Sequence, residues 1–489
     1  MNKLRKLTCL LLALMMVFAM TATASAAGDM STITAPDGST RTYEVYQIFV
    51  GDLDPESKVL SNVKWGKNGT GTAGELVDET TLDTLTAVNG KSDTEKMVAI
   101  EAYVKLSSEK FGEVKDGTPL TVPNGYYLIK DVGPVDAAAG EAYGRYVVKI
   151  VGDTTIVPKV SKVTFEKKVK DTNDTTGETS GWQDSADYDI GDSVPFQLTG
   201  TVADDFKQYT SAYYFAFHDK MEESLDFEQN SVKVYVDGTR ITEGFTLSNT
   251  AHAFDLVFAD LRNVAGVNAG SKITVEFTAK LNENAVLGNQ GNVNDAQLEY
   301  SNNPYSEQKG TTNWDSVIVF TYQVVVNKYA NEVAEGNLKA GAAFKLEKLV
   351  GETWTLVKEF QADETTSTFT FKGLDDGKYK LTETKTPSGY NTIDPIEFSV
   401  TAEHKITWEG EARTTILTSL NGEPTEAGLI EFTPNVESGT LTTNVVNKSG
   451  STLPETGGMG TTLFYVLGGV LVLAAVVLLV TKKRMRSEN

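Results

Sequence analysis

Between residues 27 and 449 the chain consists of short runs in which apolar and polar residues alternate. Ile273, Val275 and Phe277, for example, alternate with threonine and glutamate, which is the pattern of a strand with one buried face. Clusters of Gly, Asn, Asp and Ser separate such runs at intervals of about 8–12 residues, as in β-sandwich proteins. The pattern predicts an all-β chain of tandem Ig-like sandwiches.

Local signals add one hairpin and two short helices to this picture. Asp237-Gly238 follows an alternating run and predicts a type I′ turn between two strands. Helical periodicity is weak and is best over 81–88 and 94–105. Both helical stretches lie in the first third of the chain.

Breaks in the pattern divide the β-rich part into three predicted segments. The breaks fall near Pro158 and across the turn-rich stretch 303–313. The three segments are therefore expected at 27–160, 161–312 and 313–449, each long enough to bury its own core.

The N-terminus has the order of a secretory signal peptide. Residues 1–26 begin with lysine and arginine, continue with an apolar run over 7–20 and end in Ala-Ser-Ala. Cys9, the single cysteine of the chain, lies inside the apolar run. We expect cleavage after Ala26, which leaves an exported protein without cysteine.

Composition narrows the classes of function. Without cysteine the exported chain has no disulfide framework and no Cys-based zinc site, and its 3 histidines are scattered. We therefore expect no metal site and no cofactor. The formal charge of −22 over 489 residues argues against a nucleic-acid partner, because there is no excess of cations to displace counterions.

The C-terminus carries a pentapeptide, an apolar stretch and a basic tail. The stretch 450–461 contains the pentapeptide, 462–481 is long enough to cross a bilayer once, and 482–489 is basic enough to remain in the cytoplasm. The pentapeptide is Leu453-Pro454-Glu455-Thr456-Gly457. A plain membrane anchor is the alternative interpretation.

This order of parts resembles the cell-wall sorting signal of Gram-positive surface proteins. The resemblance implies that a sortase cuts between Thr456 and Gly457 and transfers the Thr456 carbonyl to an amine. The chain would then be a sortase substrate and not an enzyme. The exported part, 27–456, keeps 37 basic and 65 acidic residues, a formal charge of −28.

In the third segment a carboxylate falls on an apolar strand face. Tyr379, Leu381 and Glu383 share one face by strand parity. A buried, unpaired carboxylate is costly, so a Glu at the rim paired with Lys is the alternative. The run 379–390, Tyr-Lys-Leu-Thr-Glu-Thr-Lys-Thr-Pro-Ser-Gly-Tyr, resembles the E-box of Gram-positive pilins with CnaB-type domains.

Such domains form an internal Lys–Asn isopeptide bond beside a carboxyl group, which the resemblance implies for this segment as well. Lys328 shares a face with Val324 and Val326 in the first strand, and Asn447 shares one with Val445 in the last. We therefore assign Lys328 and Asn447 as the linked residues and Glu383 as the promoting acid. The runner-up acceptor, Asn444, lies on the opposite face.

The second segment also contains a lysine, an asparagine and a carboxylate on apolar strand faces, and it resembles the CnaA-type middle domain of pilin shafts. Lys167, Asn294 and Asp219 each fall on an apolar strand face. We assign a Lys167–Asn294 bond promoted by Asp219, against the alternative that Asp219 only begins a turn. A register error would exchange Lys168 for Lys167 or Asn292 for Asn294.

The first segment resembles a CnaB-type domain but departs from this pattern. Its opening strand contains no lysine, so no internal bond is expected and Asp131 is interpreted as structural. Val157-Pro158-Lys159 at its end resembles the core of the pilin motif, with Val in place of Tyr. The resemblance implies that Lys159 supplies the intermolecular amine; Lys162 is the nearest rival.

The hypothesis is a major, shaft-forming pilin of a Gram-positive bacterium, exported and anchored to the cell wall. The resemblance implies a pilus-specific and a housekeeping sortase, peptidoglycan and other copies of the chain as partners. It leaves a tip pilin and host receptors open. A monomeric wall-anchored adhesin with a stalk of the same domains is the alternative.

Overall fold

The structure is a computed structural model that describes residues 30–54, 56–91, 93–157, 162–409, 412–426, 428–450 and 459–485. The predicted signal peptide, Lys159 and the sorting motif 453–457 lie outside these ranges. The described residues form six sheets, two in each of three consecutive parts of the chain.

The first part forms two sheets and two helices. One sheet has the order β5-β1-β8, and the other has the order β3-β2-β6-β7 with β4 paired to β2. The helices confirm the two helical predictions, although both begin and end slightly earlier than the periodicity indicated. The elements are β1 Met30–Thr34, β2 Tyr43–Leu53, β3 Leu60–Trp65, α1 Glu79–Ala87, α2 Asp93–Glu101, β4 Gly112–Val114, β5 Leu120–Pro123, β6 Gly125–Asp131, β7 Arg145–Ile150 and β8 Thr154–Thr155.

The second part is a sandwich of a six-stranded and a seven-stranded sheet. Its strands are β9 Phe165–Val169, β10 Ser185–Asp187, β11 Ser193–Thr201, β12 Phe215–Met221, β13 Leu225–Phe227, β14 Lys233–Val236, β15 Thr239–Ile241, β16 Thr246–Asn249, β17 Ala253–Phe258, β18 Lys272–Leu281, β19 Asn292–Ser301, β20 Lys309–Thr311 and β21 Asp315–Phe320. Single 3-10 turns lie at Phe206–Gln208, Gln229–Ser231, Leu261–Asn263 and Gly288–Gln290. One sheet has the order β15-β14-β18-β11-β9, with β13 on β18; the other has the order β10-β21-β19-β12-β17-β16, with β20 on β19.

Two local predictions in this sandwich are confirmed. β14 and β15 pair as a hairpin across Asp237 and Gly238, both of which have positive φ, as a type I′ turn requires. In β18 the residues Ile273, Val275 and Phe277 are buried while their neighbours are not.

The boundary predicted after residue 312 lies before the end of the second sandwich. Strand β21, which follows it, pairs with β19 and β10 and therefore belongs to the second part. The turn-rich stretch 303–313 is a connection within that sheet, where β20 folds back on β19, and not a linker. By sheet pairing, the change from the second to the third part falls at Thr321.

The third part is a sandwich of a four-stranded and a five-stranded sheet. Its strands are β22 Tyr322–Ala330, β23 Ala343–Val350, β24 Thr353–Phe360, β25 Thr368–Leu374, β26 Gly377–Lys385, β27 Ile396–Glu409, β28 Ala412–Pro424, β29 Phe432–Asn435 and β30 Thr440–Asn447. The sheets have the orders β25-β22-β30-β29 and β24-β23-β26-β27-β28. The first strand, β22, runs parallel to the last strand, β30, and pairs with it directly.

A long helix, α3 Met459–Met485, follows the sandwiches. Its segment Phe464–Arg484 has 21 residues and a mean hydropathy of 2.7, so length and composition suffice for one membrane crossing. That segment is not buried by the rest of the chain. All described strands lie between Met30 and Asn447, so removing both ends of the chain removes none of these described strands.

Candidate functional site

Strand β22 carries a lysine into the core of the third sandwich. Tyr322, Val324, Val326 and Lys328 all point inward because they occupy alternate positions of one strand. Lys328 is fully buried. Its Nζ lies 3.2 Å from the Tyr329 carbonyl oxygen and 3.4 Å from that of Val445 on the neighbouring strand. The ammonium thus has only backbone carbonyls as hydrogen-bond acceptors in the described structure.

The inward orientation predicted for Glu383 is confirmed, since the residue is 5% exposed. Glu383 lies on β26 in the sheet that faces β22 and β30. Its Oε2 accepts a hydrogen bond of 2.9 Å from Asn447 Nδ2, which also donates to the Asn391 carbonyl at 2.7 Å. Thr386 Oγ1 and the Ile393 amide hold the same carboxylate oxygen at 3.1 Å and 3.3 Å.

The strand pairing brings Asn447 beside Lys328. Lys328 pairs with Val445, and Asn447 is the next inward residue of β30. Asn447 Oδ1 and Glu383 Oε1 are buried without a hydrogen-bond partner among the described residues. Burial lowers the pKa of Lys328 to about 8, a shift that the charge of Glu383 opposes only in part. The rival acceptor Asn444 is exposed on the other face of β30.

The second sandwich buries a lysine between its two sheets. Lys167 on β9 is fully buried, and its Nζ lies 5.5 Å and 5.4 Å from the ring centres of Phe196 and Phe277. These rings stack on each other and provide an apolar wall. Burial lowers the pKa of Lys167.

Asp219 reaches the same lysine from the opposite sheet. Its Oδ2 is in close contact with Lys167 Nζ, and both side chains are fully buried. Burial raises the pKa of Asp219 to about 6, while Lys167 and the nearby Asn294 amide pull it down. Asn294 is fully buried on β19, diagonally across from Asp219, because Met221 pairs with Asn294 and Asp219 with Ala296. Among the described residues, neither polar atom of the Asn294 amide has a well-formed hydrogen-bond partner.

The two register rivals in this segment are occupied elsewhere. Lys168 points away from the core and pairs with Asp184 at 2.6 Å and Glu166 at 3.0 Å. The Asn292 amide is buried but satisfied, since it hydrogen-bonds the backbone of Val286 and Val319. Neither side chain is available at the site that Lys167, Asp219 and Asn294 form.

The two sites differ in topology. In the third sandwich the lysine and asparagine lie on adjacent strands of one sheet and the acid lies on the other sheet. In the second sandwich the lysine lies on one sheet, while the asparagine and the acid lie together on the other.

In the first part Asp131 has a structural partner. It is 1% exposed and forms a close ion pair with Arg41, which also contacts Glu141 at 2.6 Å. The Gly133 amide donates to Asp131 at 2.8 Å. This agrees with the structural interpretation of Asp131.

The residues predicted for intermolecular linkage, Lys159 and Thr456, lie outside the described residues, as does the rest of the sorting motif 453–457. The rival Lys162 is described; it is exposed and its backbone pairs with Glu141.

A second buried lysine of the third sandwich was not identified from the sequence. Lys348 on β23 is 2% exposed, and Phe344 and Leu346 precede it on the same inward face. The alternation of inward and outward residues along a strand, which identified Lys328, would also have identified Lys348. Two of its partners, Asp174 and Asp189, belong to the second sandwich and the other, Asp375, to the third, and no local pattern indicates them.

Comparison with known proteins agrees with this fold and with the sorting signal. Residues 322–413 match the family model of a prealbumin-like fold domain, and residues 445–489 match that of the LPXTG cell wall anchor motif. The trypsin-resistant surface T6 protein of Streptococcus pyogenes is 24% identical over 419 residues, 72% of each chain.

Among solved structures, the T6 backbone pilin of serotype M6 Streptococcus pyogenes, described as a modular three-domain structure, is similar with a TM-score of 0.52 and 18% identity. The match covers 88% of this chain and 100% of that one. The full-length major pilin SpaD from Corynebacterium diphtheriae has a TM-score of 0.48 and 17% identity, covering 87% and 98%.

These findings define a class of protein, the cell-wall-anchored surface proteins that carry an LPXTG motif. Within that class the chain is similar in fold to a backbone pilin with a modular three-domain structure, and it carries the anchor motif at its C-terminal end. The anchor motif implies processing by a sortase and a location at the cell wall.

Proposed function

We propose that this chain is a backbone pilin that is polymerised head to tail, with the Thr456 carbonyl of one subunit joined to the Lys159 amine of the next. A pilus-specific sortase forms that bond, a housekeeping sortase attaches the base of the filament to peptidoglycan, and the filament serves in adhesion. The single observation that supports a filament shaft able to resist tensile force is the pair of buried Lys–Asn–carboxyl sites, one in each of two successive sandwiches.

At each site the lysine attacks the side-chain carbonyl carbon of the asparagine. A C–N bond forms between Nζ and the Asn carbonyl carbon, the original C–N bond of the amide breaks, and ammonia leaves. Burial favours the neutral amine that the attack requires. The carboxyl group of Glu383 or Asp219 polarises the amide and passes the amine's proton to the departing nitrogen.

Unsatisfied buried polar atoms support this chemistry. A buried polar group without a hydrogen bond costs about 1–3 kcal/mol, and the Asn294 amide, Asn447 Oδ1 and the second oxygens of Asp219 and Glu383 are in this position. Forming the amide also replaces a buried ammonium with a neutral group, which removes its desolvation cost.

Replacing Lys159 tests the polymerisation scheme. In cells that assemble the pilus, the K159A protein should reach the cell wall but give no high-mass ladder on a denaturing gel. K162A is the matched control and should polymerise normally. A ladder that survives K159A, with the linkage unchanged, would reject Lys159 as the intermolecular amine. A wild-type protein that is anchored only as a monomer would favour the adhesin instead.

A further inference from the structure

The second and third sandwiches meet at a junction that buries an unusual amount of charge. Lys348 of the third sandwich contacts Asp174 at 2.9 Å and Asp189 at 2.7 Å, both from the second sandwich. It also contacts Asp375 of its own sandwich closely, and Asp192 lies in the same cluster. Three carboxylates therefore contact a single ammonium, and a fourth lies beside them.

A second group of charges lies beside the first. His404 projects from the β27–β28 hairpin onto the second sandwich, where its Nδ1 lies 2.7 Å from Ser185 Oγ and its Nε2 lies 3.7 Å from Asp187. Asp171 is the third member of this group. Asp376 joins it as well: its backbone amide donates to Asp187 at 3.1 Å, and its carboxylate accepts from Asn173.

Apolar contacts hold the two sandwiches around these charges. Ile318 and Phe320 of β21 belong to the core of the third sandwich although their strand pairs in the second. Ile190 packs so closely on Gly373, which has a φ of +76°, that a Cβ there would lie 2.6 Å from it. The charges thus lie inside a packed contact rather than on an open surface.

The two groups together contain seven aspartates against one lysine and one histidine. Three tyrosines also face these carboxylates, namely Tyr188, Tyr322 and Tyr379. Tyrosine carries no positive charge, so these side chains do not offset the charge of the carboxylates. Buried like charges repel strongly because the surrounding dielectric is low. With every carboxylate ionised, the closed junction holds a large excess of negative charge.

We propose that the junction between the second and third sandwiches is an acid-tightened latch, in which proton uptake by its aspartates fixes the relative orientation of the two sandwiches. In neutral or alkaline solution the excess negative charge loosens the contact. In mildly acid solution the contact closes and the subunit stiffens.

The direction follows from proton linkage. Burial and neighbouring carboxylates raise the pKa of Asp171 to about 7 and that of Asp192 and Asp376 to about 6, and they raise the pKa of Asp189 and Asp375. The pKa of His404 is also raised, by the nearby aspartates against the effect of burial. A closed junction therefore binds more protons than an open one. Its stability is fully present below the ordinary carboxyl pKa and is lost as the pH rises through about 6–7.

The distance between two spin labels across the junction tests the latch. The exported chain 27–456 has no cysteine of its own, so cysteines introduced at the exposed positions Ser248 and Thr355 are the only labelling sites. With a chelator present throughout, the interspin distance distribution should be narrower at pH 5 than at pH 8. The change should be centred between about pH 6 and 7.

Variants separate the latch from a general effect of pH. D171N/D192N removes two of the seven carboxylates, so the difference in width between pH 5 and pH 8 should shrink, and K348M, which removes the lysine, should broaden the distribution at pH 8. D394N, an exposed aspartate of the third sandwich, should retain the full response. Equal widths at pH 5 and pH 8 in the parent protein, or an unchanged pH response in D171N/D192N, would overturn the proposal.

Discussion

Two buried lysines of the third sandwich show how the surroundings decide the chemistry of a side chain. Lys348 faces three carboxylates, which raise its pKa despite burial, so it remains an ammonium. Lys328 faces one carboxyl group and backbone carbonyls, so burial dominates and lowers its pKa to about 8. Burial produces an amine nucleophile only where compensating charge is scarce.

Glu383 is expected to be required for the bond in its own sandwich alone. The E383Q fragment 27–456 should be lighter than its sequence mass by one ammonia, where the parent is lighter by two, because Asp219 serves the other site. By analogy with a disulfide closing a loop of similar length, losing the bond should cost roughly 4–5 kcal/mol of unfolding free energy.

Mass spectrometry and denaturant unfolding measure these two effects. E397Q, at an exposed position of the same sheet, is the control and should match the parent in both. A loss of two ammonia molecules in E383Q would show that the carboxyl group is not needed.

Removing the acceptor should expose the titration of Lys328. In N447A the lysine stays a free amine whose pKa, about 8, lies below its unfolded value of 10.5. The folded state then binds fewer protons than the unfolded state between these values, so the stability of the third sandwich should rise with pH from 7 to 10. Unfolding by urea across this range measures the slope. The parent protein, in which the proposed amide has consumed the Lys328 amine, should lack this rise; the same slope in both proteins would contradict the assignment.

At the scale of strands, each proposed bond ties the first strand of a sandwich to a strand near its end. In the third sandwich β22 and β30 are parallel neighbours, so force applied at the two ends of the segment shears them past each other. An amide between Lys328 and Asn447 would carry that force, so the residues between these two positions would not unfold under tension.

Pulling on single molecules tests this clamp. The parent 27–456 chain should show no extension from the third sandwich, whereas N447A should release the 119 residues that separate positions 328 and 447. That release amounts to on the order of 400 Å of contour length. N444A, at the exposed neighbouring asparagine, should behave like the parent. An equal extension in the parent would exclude a covalent clamp.

Strand parity could be predicted from the sequence because its period of two is local. Lys328, Glu383, Asn447, Lys167 and Asp219 were all assigned to inward faces in this way, and all are buried. Which sheet a strand joins depends on distant pairing, so parity could not show that Lys167 and Asn294 come from opposite sheets. For the same reason β21 was assigned to the third segment, although it completes the second sandwich.

At the scale of the whole molecule, the described sandwiches lie between an N-terminal stretch with the order of a signal peptide and a C-terminal LPXTG anchor motif. The stretch 27–456 has a formal charge of −28, which favours solubility, and seven of its aspartates lie where the second and third sandwiches meet. No sequence motif marks that junction, because its charges come from positions 171 to 192, 348 to 376 and 404. Only the folded arrangement brings them together.

The central proposal is that two lysine–asparagine amides cross-link this chain internally. The most direct test is the intact mass of the purified 27–456 fragment, followed by mapping of the linked peptides. The fragment should be lighter than its sequence mass by two ammonia molecules, with Lys167 linked to Asn294 and Lys328 to Asn447. A mass equal to that of the sequence would contradict both bonds.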